Sequence, residues 1–264
     1  MALDLPVMAP SQALALRLAE EHLTALLPPT MLGLLKPLFN RARQALEQAW
    51  ETPAAAWAKK VRVIGRGPAL IPPAINPEVQ QTASTALFDN CQVVVTYRSR
   101  DAQGTRRYLL NPLGLVFREG VGYLVATAKG HVEILQFALH RMSAAQELSQ
   151  RAARPPDFDL DRYIFREMKF GYPVSGDDIR LRALFESGAA FHLSERPLSK
   201  DQRLHPARDG WTLLTTITRD TQELRWWLLG FGDGVEVLEP KNLRKDFADL
   251  ARRMEGLYRG RKHG

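Results

Sequence analysis

The sequence predicts an α+β protein laid out in three blocks. Three observations predict it. Helical amphipathic periodicity opens the chain, short apolar strands separated by turn residues fill the middle, and a βαββαβ alternation with a final helix closes it. The 264 residues are 45% hydrophobic and 25% charged, ordinary globular composition and enough for one large or two small domains.

The first helix is expected over residues 11–27. Ser11 is a candidate N-cap, Leu14, Leu18 and the Leu26/Leu27 pair fall near one face, and Pro28-Pro29 stop it. Thr30 caps a second helix to about Gln48, with Pro37 inside to kink or restart it. The two form an αα-hairpin whose apolar face needs a partner. Residues 51–76 are rich in Pro, Ala and Gly and hold one short strand, Val61–Ile64. Asn76-Pro77-Glu78 then starts a helix to about Phe88: N-cap Asn, Pro in the first turn, an acid at the positive helix end.

Five strands follow: Val93–Ser99, Arg106–Leu110, Leu113–Arg118, Val121–Thr127 and Val132–Leu139. Residues 100–104 make a turn, Asn111-Pro112 interrupts the ladder, and Glu119-Gly120 is a hairpin turn. Short strands repeating every ~8–12 residues are the mark of a small β-barrel or sandwich. Residues 151–158 read as a linker, and Asp159 caps a helix over 160–169. Strand 179–185, helix 188–195, strands 202–206 and 211–218, helix 220–230, strand 234–238 and helix 241–258 complete a ferredoxin-like βαββαβ order plus a last helix. The expected domains are a helical segment (1–60), a barrel (61–150), a linker (151–176) and a C-terminal domain (177–264). The basic tail RGRKHG is expected to fray.

Lys+Arg 36 against Asp+Glu 29 gives +7, a balance that favours nucleic acid, phosphorylated ligands or acidic partners, with a merely basic soluble protein as the alternative. One cysteine, Cys91, excludes an internal disulfide and points to a reducing cytoplasm; opening a strand, it reads as a buried structural thiol. No run approaches the ~18 apolar residues of a membrane span, and the N-terminus lacks a signal-peptide pattern.

Enzyme motifs are missing: there is no HExxH, no Cys pair and no GxSxG. Gly230–Gly234 follows a helix and reads as a C-cap and turn, while Gly65-Arg66-Gly67 lacks the third glycine of a dinucleotide motif. Asp157, Asp159 and Asp161 alternate without the glycine and glutamate of a calcium loop. No catalytic residue, cofactor or metal is expected. Adjacent helix positions diverge by about 100°, so one of Trp226 and Trp227 packs on the sheet and the other faces a partner subunit or the barrel.

Three sequence blocks carry a resemblance. Tyr108–Val116 with Val121–Ala126 resembles the central strands of the WYL domain. Phe137-Ala138-Leu139-His140-Arg141-Met142 with Pro156–Leu160 is similar to that domain's closing strand and exit segment. Glu223–Leu229 with Val237–Pro240, Leu243 and Arg244 resembles the C-terminal extension of WYL regulators. Helices 11–50 are similar to the segment that joins the family's winged helix to its WYL domain. Gly122 replaces the eponymous Trp, and Leu135 stands where the closing strand often carries an additional Arg. The resemblance implies a Sm-like five-stranded barrel that binds a nucleotide or single-stranded nucleic acid. It further implies a homodimer supported by extension and linker helices, and operator DNA bound through a winged helix. The ten residues before Ser11 are expected to be too few to hold a helix-turn-helix.

The candidate ligand residues are Tyr97, Arg98, Arg107, Asn111, Tyr123, His140 and Arg141. Guanidinium groups grip phosphate and tyrosines stack on bases. Strand alternation sends neighbours to opposite faces, so Tyr97 and Arg98 cannot serve one site together. A structural imidazole is an equal reading for His140, and core packing is the stronger one for Tyr123. The rival functions are a stand-alone nucleic-acid-binding protein and an oligomerisation module with an empty pocket.

Overall fold

The computed structural model describes residues 8–49, 51–61, 67, 68 and 70–259. The expected strand Val61–Ile64, the Gly65-Arg66-Gly67 motif and the basic tail lie largely outside them. The chain divides into two compact units, Met1–Asp157 and Phe158–Gly264.

The first unit opens with helices α1 (Pro10–Leu26), α2 (Pro29–Gln48) and α3 (Pro53–Lys60). Each begins at a proline, whose fixed φ and missing N–H suit a first helical turn. Ser11 therefore lies inside α1; the Gln12 side chain accepts from the Ala9 N–H instead, at 3.2 Å. Thr30 is not the cap of α2 either. Its N–H and its hydroxyl both donate to Gln81 Oε1. Helix α2 continues through Pro37 without a break in its span. The hairpin closes on Ala13, Ala42 and Leu46, and Glu20 bridges Arg17 and Arg43. Sequence reading assigns no helix to α3, although its alanine run is strongly helix-forming.

Helix α4 (Pro77–Phe88) starts as expected: Asn76 Oδ1 accepts from the Glu78 N–H at 2.9 Å. It packs on a five-stranded antiparallel sheet of β1 (Cys91–Tyr97), β2 (Arg106–Arg118), β3 (Val121–Ala128), β4 (Ile134–Ala138) and β5 (Met142–Arg151). The order is β4-β3-β2-β1-β5. Val79 and Ala83 of α4 meet Val93, Val95, Leu110, Leu124 and Leu139 in its core. The Glu119-Gly120 turn joins β2 to β3, with φ 51° and 80°, both left-handed as a tight hairpin demands.

Two strand expectations are corrected, and the errors cancel in the count. Arg106–Leu110 and Leu113–Arg118 are one strand. The proline forbids a ladder bond, and the chain absorbs this as a bulge between Pro112 and Gly114 rather than ending. Strand β5 carries no strand signal in the sequence, because MSAAQELSQR has neither β-branched residues nor apolar alternation; pairing with β1 along its length imposes the extended form. The expected closed barrel is also corrected. Strands β4 and β5 are opposite edges of the sheet, and no ladder joins them among the described residues; a 3₁₀ turn, Leu139–Arg141, leads from one to the other.

The second unit begins with Phe158, Tyr163 and Phe170 packed ring against ring. The expected helix 160–169 is a π-helical turn, Arg162–Arg166, and a 3₁₀ turn, Lys169–Gly171. Asp159 does cap it, accepting from the Arg162 N–H at 2.6 Å. Then come β6 (Pro173–Phe185), α5 (Ser187–Glu195), β7 (Arg203–Pro206), β8 (Thr212–Thr221), α6 (Gln222–Leu229), β9 (Val235–Glu239) and α7 (Lys241–Tyr258). The antiparallel sheet runs β7-β8-β6-β9, and the βαββαβ order read from the sequence is the observed one. Its core centres on Leu181, Phe185, Leu214, Leu228 and Leu243. Trp227 packs edge-on against Phe231 and tilted against Phe185, while Trp226 is 56% exposed beside Tyr172. Among the described residues no helix is long and apolar enough to cross a membrane.

A cationic cavity at one end of the five-stranded sheet

Strand β1 lies between β2 and β5, so the loop that leaves β1 and the turn that enters β5 meet at one end of the sheet. The Arg98 N–H donates to the Arg141 carbonyl at 3.0 Å and holds the two segments together. Between them is a cavity of about 530 Å³ lined by Arg98, Ser99, Arg100, Thr105, His140, Arg141, Met142 and Ser143. Three guanidinium groups and an imidazole face it, and no carboxylate does. None of the three arginine side chains has an ion-pair partner among the described residues. Some arginines elsewhere are paired, Arg182 with Glu239, Arg219 with Asp178, and Arg225 with Asp220 and Asp246. Unpartnered guanidinium groups around a concavity are disposed to take an oxyanion by charge-assisted, bidentate hydrogen bonds.

His140 is half-buried, and its Nδ1 is buried without a hydrogen-bond partner. Desolvation first, and then the neighbouring Arg141 charge, hold its pKa below the ordinary histidine value, which favours the neutral ring. Ser143 is partly engaged, its hydroxyl donating to the Thr96 carbonyl at 3.4 Å.

Of the expected ligand residues, Arg98, His140 and Arg141 are brought together. The others lie elsewhere. Tyr97 is 7% exposed in the core, edge-on to Phe137 and Tyr108, with its hydroxyl accepting from the Ala138 N–H. Its inward position follows from Val93 and Val95, which share its face. Arg107 is exposed on β2 opposite Thr96, not at the cavity. Asn111 is held in a structural network: its Oδ1 accepts from Gln92 Nε2 and the Ala153 N–H, and its Nδ2 donates to Thr127. Tyr123 stands on β3 beside Ala138, with alternation setting it opposite the core face of Leu124. Sequence reasoning missed Arg100, which it placed in a turn. The signal was the order of the sheet, which brings that turn beside His140-Arg141.

Gly122 and Leu135, the two departures from the family pattern, have structural counterparts. A Cβ on Gly122 would lie 3.0 Å from both Leu139 Cδ1 and Phe117 Cε1, and 3.4 Å from Ile75 Cδ1. Those side chains occupy the volume an indole would need. Leu135 packs partly buried against the same core. Cys91 is half-buried, not buried as expected; partial desolvation and the Glu147 and Asp89 carboxylates raise its thiol pKa.

Fold and cavity together define a two-unit α+β protein with a cationic pocket on its first sheet. The WYL domain family matches residues 78–147 and the WCX domain family residues 177–254, more than half of the chain between them. The chain is a WYL-domain protein with a WCX domain after it. Among solved structures it resembles proteasome accessory factor B/C (PafBC) of Arthrobacter aurescens, at 18% identity over 71% of this chain and 29% of that one, with a TM-score of 0.32. It also resembles a CRISPR Cas-related protein, at 13% identity over 69% of this chain and 51% of the other, with a TM-score of 0.41. The match spans about a third of the first of those chains and about half of the second. No curated protein matches it.

Proposed function

We propose that this chain is the effector-sensing and dimerising region of a transcriptional regulator, with no enzymatic role. A nucleotide or single-stranded nucleic-acid ligand occupies the cavity of the WYL sheet as the chain forms a homodimer. Ligand binding then biases how a winged helix outside these 264 residues engages operator DNA. A ferredoxin-like role for the WCX unit in pairing belongs to the same reading. The single observation that carries it is the cavity lined by Arg98, Arg100, Arg141 and His140 with no carboxylate. A ligand switches such a protein only if it binds two arrangements unequally.

Titration calorimetry with short single-stranded oligonucleotides and cyclic nucleotides, repeated at several salt concentrations, tests the site. Binding should weaken with salt, as expected when arginines displace counterions from phosphate. Arg141→Ala and Arg98→Ala should each weaken it about 10-fold or more, the scale of one charge-assisted hydrogen bond. Affinity indifferent to both substitutions would remove the assignment.

A further inference from the structure

We propose that the cavity receives the end of a nucleic-acid strand by its terminal phosphomonoester rather than the strand's interior. The inference rests on reading the cavity as the ligand site. Three features separate an end from an interior. The first is size. A cavity of about 530 Å³ matches a pocket for one small-molecule-sized group, whereas non-specific single-strand grooves track several nucleotides. The second is the lack of a stacking platform. Apart from the imidazole, no ring lines the cavity, because Tyr97 and Phe137 are buried in the core. Recognition there must go through phosphate and not through base faces. The third is charge. Arg98, Arg100 and Arg141 line the cavity with no ion-pair partner among the described residues, and the His140 imidazole lines it beside them. An internal phosphodiester brings one negative charge. A terminal monoester brings roughly −1.5 to −2 at pH 7 and three strong acceptor oxygens. The monoester meets more of these donors and favours a proton on His140, giving that ring a charge-assisted contact as well.

The test uses the whole chain and unlabelled oligothymidylates in calorimetry. One carries a 5′-phosphate and one a 3′-phosphate; a third is one nucleotide longer with two hydroxyl ends, so that all hold the same number of phosphates. The phosphate-ended strand of one polarity should bind about 10-fold tighter than the hydroxyl-ended strand, and His140→Gln should shrink that preference. Arg141→Ala should abolish it; its side chain has no ion-pair partner among the described residues, so the fold should survive. Equal affinity of all three strands, each weakened by Arg141→Ala, would overturn the end-binding proposal and leave the ligand site standing. Affinities untouched by Arg141→Ala would overturn both.

Discussion

At the scale of single residues, His140 and Gly122 make opposite uses of the same core edge. Burial and Arg141 keep the His140 proton affinity low, so between the ordinary histidine pKa and its lower folded value the unfolded chain binds a proton the folded one does not. Its contribution to stability is therefore lost as pH falls through that window. An anion in the cavity reverses the preference. The charged groups that line the cavity with His140 are Arg98 and Arg100, just after β1, and Arg141 on its own turn. Binding of a hydroxyl-ended oligonucleotide, which does not itself titrate near neutrality, should tighten from pH 8 to pH 6. Calorimetry on His140→Gln should show a flat profile. Gly122 is fixed by sterics. Gly122→Ala should cost about 1–3 kcal/mol in urea denaturation, since Leu139 and Phe117 each stand 3.0 Å from the added carbon. A variant as stable as the parent would mean that both side chains retreat freely.

At the scale of elements, legibility followed the strength of local signals. Helix α4 was readable because Asn76-Pro77-Glu78 states its own start, and the hairpin turn because Glu119-Gly120 tolerates two left-handed residues. Gly120→Ala should cost about 1–2 kcal/mol in the same denaturation measurement, because φ is 80° and the new carbon meets Pro72 at 2.8 Å. Strand β5 was unreadable for the converse reason: its extended form comes from β1, not from its own residues. That omission hid two of the eight residues that line the cavity, as Met142 and Ser143 belong to β5. Arg98, His140 and Arg141 were legible as polar groups at strand ends. Tyr97 and Asn111 were misplaced because alternation and hydrogen bonding commit them inward. On α6 the pair of indoles divides as helical geometry requires. Trp227→Ala should destabilise by about 2 kcal/mol or more and Trp226→Ala by less than about 1 kcal/mol. Comparable losses from the two would contradict the packing.

At the scale of the molecule, the two units each own a closed core. Residues 158–264 bury Leu181, Phe185, Leu214, Leu228 and Leu243 among themselves, and Arg225 anchors Asp220, whose side chain is 3% exposed, by a bidentate ion pair. Expressed alone, this span should unfold in one cooperative step by circular dichroism; a gradual loss of signal would show that it leans on the rest of the chain. Arg225→Ala should cost it about 3–5 kcal/mol by leaving that carboxylate buried and alone. The first unit carries a different consequence. Its pocket has no existence in any short peptide, since one wall follows β1, the other spans the turn into β5 and its first residues, and the Arg98–Arg141 backbone bond fastens them across the intervening strands. Whatever fits there must bind the native form and ignore the denatured one. A true effector at a hundred times its dissociation constant would then add about 2.7 kcal/mol to that form. The melting temperature is thus a thermometer for the unknown compound, and a library can be screened by heat alone.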